Sequence, residues 1–146
     1  MFKHILVPTD GSRLSDRAVK AAAELARTSG GKVTLFHVIA EYKSPYYPDG
    51  YVYDFGTKSE YLKETGESAA KLIGKAKALF GKKVRVIGLH GYSDTPAAAI
   101  LMAAKRQKAD VIVMASHGRR GVEKLLLGSE TQKVVTLSKL PVLVVK

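Results

Sequence analysis

The sequence contains no cysteine, which excludes disulfides, thiolate metal sites and cysteine nucleophiles and leans towards a reducing compartment. No apolar run approaches the roughly 18 residues that a membrane-spanning helix requires. The opening residues, MFKHILVPTDGS, hold too short an apolar stretch for a secretory signal and lack a small-residue cleavage site. A soluble, cytoplasmic chain with no membrane partner is therefore expected. Catalytic signatures are missing as well. There is no GxxxxGK[ST] phosphate loop and no GxSxG nucleophile elbow. The histidines, His4, His37, His90 and His117, do not pair at helical metal-ligand spacing and no carboxylate cluster joins them, so no protein-held transition metal is expected. Acidic residues are scarce, with 13 Asp and Glu against 24 Lys and Arg and a formal net charge of +11.

That positive field attracts anions. Most of the basic residues are scattered over helical stretches, with tight pairs at Lys82-Lys83, Lys105-Arg106 and Arg119-Arg120. Aromatic and basic residues do not interleave and there is no basic tail, so nucleic acid is not an expected partner and most of these charges read as solvated surface. With 146 residues, 46% hydrophobic and 25% charged, the chain is long enough to bury a core without staples and reads as one domain, 1–146.

Apolar and amphipathic runs alternate along it. Strands are expected at His4–Thr9, Lys32–Val38, Lys83–Leu89, Val111–Ala115 and Pro141–Val145. Helices are expected at Leu14–Ser29 with Ser12 or Ser15 as cap, at Ser59–Phe80, from the Thr95-Pro96 cap to about Gln107, and at Ser129–Ser138. Continuously apolar strands joined by helices imply a parallel sheet covered on both faces, a three-layer Rossmann-like α/β fold. Ligands in such sheets bind beyond the carboxyl ends of the strands, near the switch in strand order. The segment Glu41–Thr57 breaks the rhythm, holding five of the seven tyrosines. It reads as a surface loop packed by its own tyrosines, or as a lid or partner surface.

The stretch Ala109–Val135 carries the most chemistry. A strand ends at Ala115, Gly118 turns the chain, and Gly128-Ser129 opens a helix. Ser129 with Gln132 three residues on is a capping-box pattern, which makes Ser129 the expected N-cap. A helix N-terminus presents unpaired N–H groups and the positive end of the macrodipole, and neighbouring glycines let an anion approach the backbone. Spacing alone fits a phosphate cradle or a well-capped connection equally.

These residues resemble the universal stress protein family, the single-domain branch of the adenine-nucleotide-binding α/β superfamily. The family signature is glycine, two residues, glycine, nine residues, then Gly-Ser or Gly-Thr. Here it reads Ala115-Ser116-His117-Gly118, nine residues, Gly128-Ser129. ILVPTDGS, HVI at 37–39 and PVLVV at 141–145 are similar to the first, second and last strands of the family. The resemblance implies five parallel strands in the order 3-2-1-4-5 and a homodimer through the C-terminal strand, 141–146. It also implies ATP as ligand, with Mg²⁺ or Mn²⁺ held mainly by the phosphates. Pro8, Thr9, Asp10 and Val38 would frame the adenosine, Val38 through its backbone. Met114 and Ala115 would lie against the ribose. Gly118, Gly128, Ser129, Glu130 and Thr131 would serve the phosphates, with His117, Arg119 and Arg120 in the same loop.

The residues leave several roles open. Asp10 either bonds a ribose hydroxyl or hydrated metal, or caps the turn at Gly11-Ser12. Arg119 and Arg120 match phosphate geometry but equally suit water or a dimer partner, and His117 suits ligand or solvent. Ala115 departs from the signature's first glycine by one methyl. The Ser-Gly-Gly loop and HIGH motif of related α/β enzymes are absent, so the machinery for efficient phosphoryl transfer is not visible. The expected function is an ATP-binding regulatory protein read by a partner. A nucleotide-independent interaction protein with a vestigial loop, and a slow ATPase or phosphotransferase, are the alternatives.

Overall fold

A computed structural model describes residues 1–44, 56–118 and 127–146. Its elements run β1 (His4–Pro8), α1 (Arg13–Ser29), β2 (Lys32–Ile39), α2 (Lys58–Ala78), β3 (Val86–Tyr92), α3 (Pro96–Arg106), β4 (Val111–Ala115), α4 (Ser129–Leu137) and β5 (Val142–Val145). Every strand pair is parallel and the sheet order is β3-β2-β1-β4-β5, as expected.

Side chains alternate across a strand, and that alternation builds two cores. Ile5 and Val7, Val33 and Leu35, and Val111, Val113 and Ala115 face α1 and α2. Leu6, Phe36, Ile112 and Met114 face α3 and α4. Helix α1 fits because Ala18, Val19, Ala22, Ala23 and Ala26 form a small-residue stripe, all at most 1% exposed, so the helix lies close to the sheet. At the amino-terminal edge the Asp110 carboxylate accepts from the backbone N–H groups of Lys3, at 2.8 Å, and His4, at 3.2 Å, which locks β1 beside β4. His4 itself is buried and hydrogen-bonded to Thr34 Oγ1 at 2.8 Å. Burial, then the Lys32 charge, lower its pKa below the ordinary value of 6.5, with Asp110 opposing.

The third strand lies further along the chain than expected. It runs Val86–Tyr92, pairing His90 with His37 and Tyr92 with Ile39. Val84 is buried against the α1–α2 core from the preceding turn, without joining the ladder. Pairing with β2 decides the boundary, and β2 extends to Ile39. Among the described residues no helix is long and apolar enough to cross a membrane. Most of the Tyr-rich stretch, residues 45–55, lies outside the described residues, but its base is stitched together: Tyr42 OH donates to Gly56 C=O at 3.1 Å, and the Tyr42 and Tyr61 rings lie 5.5 Å apart.

Candidate functional site

The chain leaves β1 towards α1 and β2, and leaves β4 towards α4 and β5. That divergence opens a cleft of about 690 Å³ at the carboxyl ends of these strands, roofed by α3 and α4. Pro8, Thr9, Asp10 and Val38 line one part of it. Met114, Ala115, His117, Gly118, Gly128, Ser129, Glu130 and Thr131 line the rest. Arg119 and Arg120 lie outside the described residues. The cleft also contains Ser15, Phe36, His37, Asp94, Pro96 and Ile100, which the sequence reading missed. Asp94 was within reach, because it lies beyond the carboxyl end of a strand and beside the Thr95-Pro96 cap.

One end of the cleft is a strand edge. Pairing of β2 with β1 ends at Pro8 opposite Phe36. Thr9 N–H donates to Phe36 C=O at 2.9 Å, so even-numbered residues of β2 turn their polar atoms towards β1. Odd-numbered ones turn towards β3, as Val33 N–H does to Arg85 C=O at 2.9 Å. The N–H and C=O of Val38 therefore point past the end of β1 into the cleft, with no partner among the described residues. Phe36, Ile100 and Met114, all buried in the α3–α4 core, supply apolar walls beside them.

The other end is a helix start. Contrary to expectation, Gly128 and not Ser129 is the N-cap of α4: its φ is −67° and ψ 155°, and its C=O accepts from Gln132 N–H at 2.9 Å. Gly128 is anchored from behind, its N–H donating to Ser116 C=O at 2.7 Å. A Cβ there would stand 3.2 Å from Ser116 O and 3.3 Å from His117 Cα, so only glycine sits in this position without pushing the loop aside. Ser129 becomes the first helical residue, and its hydroxyl makes no capping bond. The N–H groups of Ser129, Glu130 and Thr131 are first-turn donors without intrahelical acceptors. Thr131 Oγ1 donates to Ala115 C=O at 2.9 Å and is buried, which fixes the helix start on the end of β4.

The Glu130 side chain has a task away from any ligand. Its Oε2 accepts from Ala97 N–H at 2.9 Å and its Oε1 pairs with Lys133 at 3.1 Å. It thus satisfies the first turn of α3, whose own N-cap Thr95 makes no side-chain capping bond. Only the Glu130 backbone N–H remains for the cleft.

Between the two ends lies the β1–α1 turn. Asp10 Oδ1 accepts from Ser12 N–H at 2.9 Å, the turn-capping role, and Asp10 also lines the cleft; both readings of this residue describe its position. A Cβ on Gly118 would come within 2.9 Å of Asp10 Oδ2, so the two residues close the cleft floor in direct apposition. Buried Thr9 bonds Ser15 Oγ at 3.2 Å. His37 Nδ1 donates to Thr9 C=O at 2.8 Å. His117 Nδ1 lies 3.0 Å from Ser116 Oγ, and its Nε2 is buried without a hydrogen-bond partner among the described residues. His117 is thus half-buried, with its Nε2 edge turned inward.

Ala115, where the signature has glycine, is 7% exposed, and its side chain belongs to the core against α1. Strand alternation turns the methyl towards that core, away from the face on which Met114 meets the cleft. A smaller groove of about 470 Å³ lies between α1 and α2, bordered by Lys71 and Lys75 and sharing only His37 with the cleft.

Fold and cleft together define an open α/β sheet protein with a crevice at its topological switch point. The model of the universal stress protein family matches residues 1–146, and the chain belongs to that family. It is 36% identical over 146 residues to universal stress protein MJ0531 of Methanocaldococcus jannaschii, covering 100% of this chain and 83% of the relative. The solved structure of MJ0577, a universal stress protein of the same organism, is similar with a TM-score of 0.83 at 30% identity, over 100% of this chain and 96% of the other. Two more distant structures contain adenine nucleotides. A universal stress protein from Archaeoglobus fulgidus in complex with dAMP has a TM-score of 0.66 at 22% identity, over 99% of this chain and 98% of that one. One in complex with cAMP has a TM-score of 0.64 at 24% identity, over 98% and 95%. At those identities the likeness carries the fold alone.

Proposed function

We propose that this chain is an ATP-binding regulatory protein whose nucleotide occupancy is read by a partner. One observation carries the reading. A single cleft presents an open peptide edge at Val38 and an open helix N-terminus at Ser129–Thr131, with Gly118 and Gly128 packed so closely on Asp10 and on the Ser116–His117 backbone that an added Cβ would crowd them. Adenine suits the first end, since one extended residue offers the adjacent acceptor and donor that its Watson–Crick edge requires. Phosphates suit the second, where first-turn amides and the macrodipole favour negative charge. The adenine nucleotides bound by the two related proteins support the same assignment. In this reading Asp10, in the floor between, meets the ribose or the hydration shell of a Mg²⁺ or Mn²⁺ ion carried by the phosphates.

The protein acts in this reading as one domain, cytoplasmic and homodimeric. Strand β5 is a sheet edge with Leu143 45% exposed, and segment 141–146 is the natural dimer seam. A partner protein then distinguishes filled from empty dimers. The test is to purify the chain, extract it and search for adenine nucleotide by mass spectrometry, then titrate the stripped protein with ATP at physiological ionic strength. Micromolar affinity is expected. Affinity no tighter than millimolar overturns the reading.

A further inference from the structure

Val38 projects its peptide edge into the cleft beyond the end of β1, where a strand without a neighbour on that side would be free to shift. What holds it lies on the opposite side. Ser93 N–H donates to Ile39 C=O at 2.8 Å, continuing the β2–β3 ladder by one residue. Tyr61 OH donates to Ala40 C=O at 2.8 Å. Asp94 Oδ1 accepts from Glu41 N–H at 3.1 Å, and Oδ2 lies 3.6 Å from Lys43 Nζ. Residues 39, 40 and 41 are each tied down, and Asp94, which itself lines the cleft, makes the outermost tie.

We propose that Asp94 is a positioning residue for the nucleobase: by anchoring Glu41 it fixes the angle at which the Val38 peptide edge meets the ligand, and so sets selection of adenine over other bases. This rests on the nucleotide-binding reading above. The Glu41 bond is charge-assisted and therefore stronger than a neutral one. The Lys43 pair, with side chains 65% and 48% exposed, adds little, as exposed pairs do. Base choice at a peptide edge depends on alignment, because adenine offers an amino donor where guanine offers a carbonyl acceptor. Letting the edge rotate weakens the match to adenine and relaxes the penalty against guanine. Among the described residues the bonds of Asp94 go to Glu41 and Lys43 and none goes to α4.

The full chain, Asp94→Ala, Asp94→Asn and Lys43→Ala are titrated with ATP, GTP and tripolyphosphate, and amide hydrogen exchange is followed without nucleotide. Asp94→Ala should weaken ATP binding about tenfold, the equivalent of one charge-assisted hydrogen bond. The ATP-to-GTP preference should fall while tripolyphosphate affinity stays the same, and exchange at Val38 and Glu41 should accelerate. Asp94→Asn, which keeps an oxygen acceptor, should restore both exchange and preference, and Lys43→Ala should change neither. Unaltered exchange at Glu41 in Asp94→Ala overturns the anchoring whatever the ligand. An unaltered ATP-to-GTP preference, or an equal loss for tripolyphosphate, overturns the base-positioning role while leaving nucleotide binding intact. No ATP affinity in the parent chain overturns the functional reading and this assignment with it.

Discussion

Helices α1 and α2 cover one face of the sheet and begin with caps supplied by their own sequence, whereas α3 and α4 cover the other face and begin without them. Ser12 Oγ accepts from Ser15 N–H at 3.1 Å. Thr57 and Glu60 form a complete capping box, with Glu60 N–H on Thr57 Oγ1 at 3.2 Å and Thr57 N–H on Glu60 Oε2 at 2.7 Å. Thr95 makes no such bond, and Glu130, from another helix, reaches Ala97 N–H instead. At α4 the capping position is glycine and the first-turn amides face the cleft. A capped helix start is complete in itself. The uncapped one is where an anion can complete the structure, and it lies at the switch point of the sheet.

The contrast can be broken from the open side first. Gly118→Val should abolish measurable nucleotide binding, a loss of about 100-fold or more, because the new Cβ meets Asp10 Oδ2 and displaces the floor of the cleft; two charge-assisted bonds lost together reach that size. Calorimetric titration checks it, and retained ATP affinity would sink the cradle assignment. Ser129→Asp separates stability from binding. A carboxylate in the first turn of α4 complements the macrodipole and should raise unfolding stability by about 0.3–1 kcal/mol. The same charge repels phosphate and should weaken ATP by about tenfold, or 1.4 kcal/mol. Denaturant midpoints and binding constants moving in the same direction would contradict it.

The closed side should behave in the reverse manner. Thr57→Ala removes the α2 cap and should cost about 1 kcal/mol of stability while ATP affinity holds, measured by urea unfolding with and without nucleotide. The smallest effect concerns His4. Its folded pKa is lowered by burial, so below pH 6.5 the unfolded chain takes up a proton that the folded one resists, and stability falls as pH drops. Above that pH both forms are neutral and no penalty applies. A His4→Gln variant should show a flatter stability profile between pH 7 and 5 than the parent chain; identical slopes would assign the acid sensitivity elsewhere.

Much of this was legible in the residues. Apolar strands alternating with amphipathic helices specified the parallel three-layer sheet, and the strand order followed from the family resemblance. The cleft's glycines and Asp10 were legible because turns and close backbone approach leave residue-type signatures. Three features were not. The boundaries of β3 depend on which residues β2 offers for pairing, a long-range choice that local hydropathy does not record. The α4 cap went to Gly128 because Ser116 C=O and His117 define its space, and neighbouring cap-prone residues look alike in sequence. Phe36 and His37 join the cleft through register with their neighbours, and register is invisible until strands are laid side by side.

The orientation of Ala115 carries one more consequence. Along residues 113–115 the chain alternates between the α1 core and the crevice, and beyond the strand His117 and Gly118 both line the crevice, so the limits on substitution change along the loop. At 115 the limit is volume: the methyl fits among Val7, Val113 and α1, and anything larger crowds that core. At 118 and 128 the limit is proximity, since the first added carbon already meets Asp10 or the Ser116 backbone. A family motif written as one line of letters therefore records two unrelated constraints, and a mismatch at one of them says nothing about the other.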